Sequence, residues 1–176
     1  GRSAPIAELL KFNSRDVSEI SKQTLRCAEI ISKSACKFGG KDIDRWIVEY
    51  FLPLNKDNRN LSIAEQIKCN LSSDNIKSDQ QYIASFFVNN DEKKEFIISK
   101  RIFEEILISN NLIKLLSSLL VSLLNEARGK DCNINDLWSV ILVGGGTQIP
   151  LIRNWISYKL PKVTINYPPP IESISL

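Results

Sequence analysis

The run Val140-Ile141-Leu142-Val143 breaks into Gly144-Gly145-Gly146 and then into Thr147-Gln148-Ile149-Pro150, and it restricts the fold more than any other segment. Four β-branched or leucine residues predict a buried strand, and residues 149–156 predict the helix after it. Glycines at such a corner let backbone approach a ligand closely, and the first N–H groups of the helix are unpaired donors. The corner therefore suits a nucleotide. It equally suits a helix packed tightly on a sheet, and the pattern alone leaves both open.

A second corner lies near the other end. Ala28, Ile30, Ser32, Ser34, Cys36 and Phe38 alternate as one face of a strand, with Glu29, Lys33 and Lys37 on the other. That strand ends at Gly39-Gly40. Asp42 and Asp44 follow where a helix N-terminus favours negative charge, and Ile43, Trp46, Ile47 and Tyr50 supply the helical stripe. Ahead of it, Ile6 to Phe12 reads as a strand, Asn13 to Asp16 as a polar loop, and Val17 to Leu25 as either short helix or loop.

The material between the corners differs. Ser62 is expected to cap a helix running through Leu71, with Glu65 completing a capping box. Tyr82–Val88 and Glu95–Ile98 predict a hairpin turning at Asn89-Asn90-Asp91-Glu92. Ser99 caps Lys100 to Ile108. The leucines from Leu112 to Leu124 recur at helical spacing and stop before Gly129. Their run is short and carries Lys114 and several serines, so it reads as a core helix rather than a membrane span. Val163 to Asn166 is a last strand, and Pro168-Pro169-Pro170 a rigid connection. The order predicts an α/β unit built from both ends, with a smaller subdomain inserted between them.

Composition narrows the function. The chain has 176 residues, enough for one domain or one large lobe, and a net charge of +3 with scattered basic residues. Nothing points to nucleic acid or an anionic membrane. There is no histidine, and Cys27, Cys36, Cys69 and Cys132 form no C-x-x-C pair. Zinc fingers, Cys–His nucleophiles and Ser-His-Asp triads are excluded. No secretory leader is apparent, so reduced thiols and a cytoplasmic location are expected. The chain also lacks methionine, so Gly1-Arg2-Ser3 is expected to be tag sequence on an expressed fragment.

Glu65, Lys68 and Ser72 are spaced i, i+3, i+7 and so share one helix face, with Ile63, Ile67 and Leu71 opposite. A carboxylate, an ammonium and a hydroxyl in a row could line a cleft around a ribose. By spacing alone they also fit a solvated helix face.

Five segments, in order, resemble the heat shock protein 70 (DnaK-type) chaperone family. Phe38-Gly-Gly-Lys-Asp-Ile-Asp-Arg-Trp-Ile-Val-Glu-Tyr-Phe51 is similar to its leucine-Gly-Gly-Glu-Asp-Phe-Asp segment. Ala64-Glu-Gln-Ile-Lys-Cys-Asn-Leu-Ser-Ser73 resembles its Glu-x-x-Lys-Arg-x-Leu-Ser-Ser helix, and Ile98-Ser-Lys-Arg-Ile-Phe-Glu-Glu105 its Ile-Thr-Arg-x-x-Phe-Glu segment. Val143-Gly-Gly-Gly-Thr-Gln-Ile-Pro150 resembles its Val-Gly-Gly-Ser-x-Arg-Ile-Pro adenosine motif. Pro170-Ile-Glu-Ser-Ile-Ser-Leu176 falls where the family has Pro-Asp-Glu-Ala-Val-Ala-Tyr.

The resemblance implies an α/β, actin-like ATPase (ribonuclease H-like) fold, of which this chain is the second lobe. Residues 1–45 and 129–176 would form the inner subdomain and 46–128 an inserted α+β outer one. ATP or ADP is the implied ligand. Glu65 and Lys68 would meet the ribose, Ser72 the adenine edge, and Gly144, Gly145 and Gly146, with Gln148 and Ile149, the adenosine face. Gly40 would lie near the phosphates. Cochaperones or exchange factors would be partners on the outer subdomain; no nucleic acid or membrane is implied.

The family's Asp-x-Gly-x loop, catalytic lysine and second phosphate loop have no counterpart in this sequence. The expectation is therefore a lobe that holds the nucleoside end, leaves Mg²⁺ to the other lobe, and has no catalytic residue of its own. Within the motifs, Cys69 and Gln148 stand where the family clamps adenine between two arginines, Gly146 where it has serine, and Ile171 where it has aspartate. Losing two arginine–ring stacks costs about 1–4 kcal/mol, roughly ten- to a thousandfold in affinity. An actin-like scaffold that has lost nucleotide binding is the alternative, and a filament-forming relative a third.

Overall fold

A computed structural model describes residues 6–16, 24–55, 57–89 and 92–167; for 6–16 and 24–29 only the backbone is considered. Val17–Gln23, Gly1-Arg2-Ser3, the triple proline and Ile171 lie outside the described residues. The order is β1 (Ile6–Asp16), β2 (Thr24–Ala35), α1 (Gly40–Phe51), α2 (Asn58–Leu71), β3 (Gln81–Phe87), β4 (Lys93–Ser99), α3 (Lys100–Ser109), α4 (Leu112–Arg128), β5 (Ser139–Ile141), α5 (Pro150–Lys159) and β6 (Thr164–Asn166). One-turn helices at Ile134–Asp136 and Gly145–Gln148 flank β5. The chain is mixed α/β, and the described strands form three separate pairs.

Two compact units emerge. Among the described residues, one contains those between 38 and 114 and between 138 and 167, the other those between 6 and 37 and between 115 and 137, so α4 starts in the first and continues in the second.

In the second unit, β1 and β2 pair antiparallel from Ile6↔Ala35 to Asp16↔Thr24. Asn13–Asp16 are thus strand, not loop: polar side chains are compatible with a ladder whose bonds are made by backbone. A bulge opposite Leu9 and Leu10 leaves Ile31 unmatched. An extra residue reverses the alternation, so Ile31 and Ser32 are both buried while Ile30, expected on the face of Ser32, is exposed. Lys33 N donates to Glu126 Oε2 and Lys130 Nζ to the Ile31 carbonyl, tying β2 to α4 and the turn after it.

The first unit is organised around α1, α2, α3 and the β3–β4 hairpin. Asp42 caps α1 by accepting from Gly39 N at 2.8 Å. The buried face of α1 is Ile43, Asp44, Ile47 and Val48. It is rotated from the expected stripe: Tyr50 is exposed, and Trp46 stacks on Phe38 with ring centroids 5.3 Å apart. Helix α2 starts a turn earlier than expected. Its cap is Asp57, which accepts from Arg59 N at 2.9 Å, while Ser62 is an exposed residue within the helix. Hydrogen bonds from the Arg59 side chain hold the Asp57 carboxyl below its ordinary range.

The hairpin pairs Gln81↔Ser99 through Phe87↔Lys93, with Ala84, Phe86 and Ile98 buried on one face. Phe51, Phe86 and Phe96 cluster at 5.1–6.1 Å between centroids. Ser99 caps α3 as expected, its Oγ accepting from Ile102 N. In α4, Leu112, Leu116, Leu123 and Ala127 are buried. No single helix among the described residues is long and apolar enough to cross a membrane.

Candidate functional site

The glycine corner begins with a strand shorter than expected. β5 ends at Ile141, and Val140 pairs parallel with Ile165 of β6. Leu142 N still donates to the Asn166 carbonyl at 2.9 Å, so the chain stays alongside β6 up to the glycines. Gly144 has φ of +96°, a conformation other residues rarely adopt. Thr147 N and Oγ1 both donate to the Gly144 carbonyl, at 3.1 and 2.7 Å, folding Gly145–Gln148 into a tight turn. Pro150 then opens α5, where its missing N–H costs nothing. A Cβ on any of Gly144, Gly145 or Gly146 would meet nothing within 4 Å, so the corner presents bare backbone to solvent. Ile149, in contrast, is buried in the core.

Arg153, on the first turns of α5, fixes this corner. Its Nε donates to the Thr147 carbonyl at 3.0 Å, Nη2 to Gln148 Oε1, and Nη1 to Asp74 Oδ2 at 2.9 Å. The guanidinium lies 5.1 Å from the Tyr167 ring centroid. Asp74 stands two residues after Ser72. Arg153 therefore ties the turn after α2 to the glycine corner, within one compact unit. In the sequence its only signal is its place on α5, five positions after Gln148.

On α2 the three expected residues have different surroundings. Glu65 is exposed. Lys68 is largely buried: its Nζ donates to Asp44 Oδ1 at 2.7 Å and more weakly to the Gly40 carbonyl at 3.4 Å. Ser72 forms the C-cap, with Oγ donating to the Lys68 carbonyl at 2.7 Å and its lone pairs left to accept. Asp44, expected as a charge at the start of a helix, has a side chain only 5% exposed. Burial pushes its carboxyl above the ordinary 3.8, against the opposing hydrogen bond and charge of Lys68. Gly40, Asp44 and Lys68 thus join the start of α1 to the last turns of α2. Glu65 and Lys41 also act electrostatically on Asp44.

Cys69 is exposed, and Cys36, Cys69 and Cys132 are free thiols. Burial raises the Cys36 thiol, which disfavours the nucleophilic thiolate. Among the described residues no cluster of three His, Cys, Asp or Glu is placed to hold a metal ion. Two surface hollows, one at Glu49, Pro53, Leu54 and Asn55 and one at Leu160, Pro161, Val163 and Tyr167, include none of the expected nucleotide residues.

A mixed α/β chain in which a bare glycine corner leads from a strand into a helix is of the kind that can bind nucleotides. Comparison with protein families sharpens this. Residues 29–167 match the family described as Hsp70 protein. The match spans about four-fifths of the chain, and the chain belongs to the Hsp70 family. Membership brings an actin-like ATPase fold and the ATP-binding chaperones as its class. No curated protein sequence matches the chain.

Proposed function

We propose that this chain supplies the adenosine side of the ATP site in an Hsp70-type nucleotide-binding domain. Glu65 and Lys68 face the ribose, Ser72 accepts from the adenine edge, and Gly144–Gly146, with Gln148 and the backbone of Ile149, flank the adenosine. Gly40 lies toward the phosphates. Residues 1–45 and 129–176 are the inner subdomain and 46–128 the outer, in a cytoplasmic chaperone whose cochaperones or exchange factors meet the outer part. The reading assigns no catalytic residue and no Mg²⁺ ligand to this chain, so it binds without hydrolysing.

The observation that carries the reading is the Arg153–Asp74 ion pair. It draws the exposed glycine corner to the end of α2, so two segments about seventy residues apart in sequence converge as nucleoside recognition requires. A titration followed by amide NMR tests it. Adenosine and ADP are expected to shift the signals of Gly144–Gly146 and of residues around Ser72 at about millimolar ligand. Glu65→Ala weakens both, and phosphate release from ATP stays at background. No shift at either segment overturns the binding role, and release above background overturns the non-catalytic one.

A second reading, a scaffold that has lost nucleotide binding, draws on the engagement of Lys68 by Asp44 and on Cys69 and Gln148 at the clamp positions. The same titration decides between the two.

A further inference from the structure

We propose that the Leu54 turn is a contact point for a second copy of this chain: Leu54 of one copy enters the hollow at the end of α5 of the other, and Glu49 meets Lys159 and Lys162.

Leu54 is a side chain that its own chain does not use. Asn55 N donates to the Leu52 carbonyl at 3.1 Å, closing the turn Leu52-Pro53-Leu54-Asn55 after α1. Leu54 has φ of +69° at the third position of that turn, where glycine or asparagine is the ordinary residue. It is leucine instead, and it is 92% exposed. Such backbone strain persists only where the surroundings hold it. Asn55 Nδ2 donates to the Phe87 carbonyl at 3.0 Å and Asn55 Oδ1 accepts from Asp57 N at 2.9 Å, so the turn is pinned from one side. Pro53 stiffens it from the other. An apolar side chain held rigidly outward, with Pro53 and Tyr50 exposed near it in sequence, loses little freedom on binding.

The receiving surface lies in the same compact unit of the other copy. Leu160, Pro161, Val163 and Ile165, with Ser157 and Tyr167, line a hollow of about 260 Å³ between the end of α5 and β6. Lys159 and Lys162 are exposed and adjoin those lining residues in sequence. Glu49 is exposed as well and lines the hollow beside Leu54. The described ion pairs involve none of these three charges. An acid beside the projecting leucine and two bases beside the hollow make the two surfaces complementary in charge as well as in shape, which is what selects this chain as its own partner.

Sedimentation velocity on the full chain, from about 10 to about 500 µM, suits a contact of this small size. The weight-average mass is expected to rise with concentration above that of one chain. Leu54→Gly removes the side chain and suits the backbone, so association should weaken about tenfold or more while the thermal midpoint holds or rises. A structural role for Leu54 would lower that midpoint. Glu49→Lys alone, and Lys159→Glu with Lys162→Glu, should each weaken association; mixing the two variants should restore it, because each then offers the other an opposite charge. A constant single-chain mass overturns the proposal. So does association that is unchanged in Leu54→Gly, or that fails to recover in the mixture.

Discussion

Asn60→Ala should be among the most damaging single substitutions in the unit that carries the site. Asn60 is fully buried in the first turn of α2. Its Nδ2 donates to the Phe87 carbonyl at 2.8 Å and to Asn55 Oδ1 at 3.1 Å, and its Oδ1 accepts from Phe87 N at 2.8 Å. The amide thus pairs with the end of β3 as a neighbouring strand would. Truncation to alanine does not orphan every partner. The Phe87 carbonyl keeps Asn55 Nδ2 at 3.0 Å, and Asn55 Oδ1 keeps Asp57 N at 2.9 Å. The Phe87 N–H loses the partner that Asn60 supplied. A buried orphan donor costs about 1–3 kcal/mol, and the two lost donations add about 1 kcal/mol net, since their acceptors remain served. The expected loss is about 2–4 kcal/mol, read from the urea midpoint with an unchanged slope. Asn55→Ala removes two contacts whose partners stay bonded and takes the acceptor from the partly buried Asp57 N–H, so it should cost less than Asn60→Ala. Equal losses in the two variants, or a loss below about 1 kcal/mol for Asn60→Ala, would refute the pairing argument.

Two further outcomes follow from the same geometry. Arg153→Ala removes the bracket between Asp74, Thr147 and Gln148; hydrogen exchange at Thr147–Arg153 should accelerate and nucleoside affinity fall, whereas Asp74→Ala, at a largely exposed partner, should have a smaller effect. Asp44 titrates above its ordinary 3.8 because it is buried, so its contribution to stability is greatest below that value and is lost as pH rises through the folded value. Asn at position 44 does not titrate. The stability of the native chain relative to Asp44→Asn should therefore fall as pH rises above 3.8 and then level off, and a rise over that interval would show that the Lys68 pair outweighs burial.

The parts of the fold that could be read in sequence are those set by local chemistry. The Ser99 cap, the β3–β4 hairpin and the stop of α4 before Gly129 each follow from residues within a turn of one another. What was missed depended on competition or register. Ser62 with Glu65 satisfies the capping pattern, yet Asp57 is a turn upstream, and its carboxylate takes Arg59 N first. Strand alternation placed Ile30 inward because periodicity assumes no bulge, and one extra residue at Ile31 reverses it.

The site shows the same division at longer range. Spacing put Glu65, Lys68 and Ser72 on one face, but spacing cannot say what lies opposite. Asp44 and Lys68 are twenty-four residues apart, and only the packing of α1 on α2 brings them together. Asp74 and Arg153 are seventy-nine apart. In both cases a cation that sequence reading would offer to a ligand is already answered by an acid of the chain. The charges of this site are consequently a product of tertiary structure. A chain with arginine at position 69 or 148 would add a cation beyond these two matched pairs. Cys69 and Gln148 add none, and Gln148 instead accepts from Arg153. The two cations that could have served a ligand are thus each paired by an acid that only tertiary structure brings near, and neither position 69 nor position 148 carries a further positive charge.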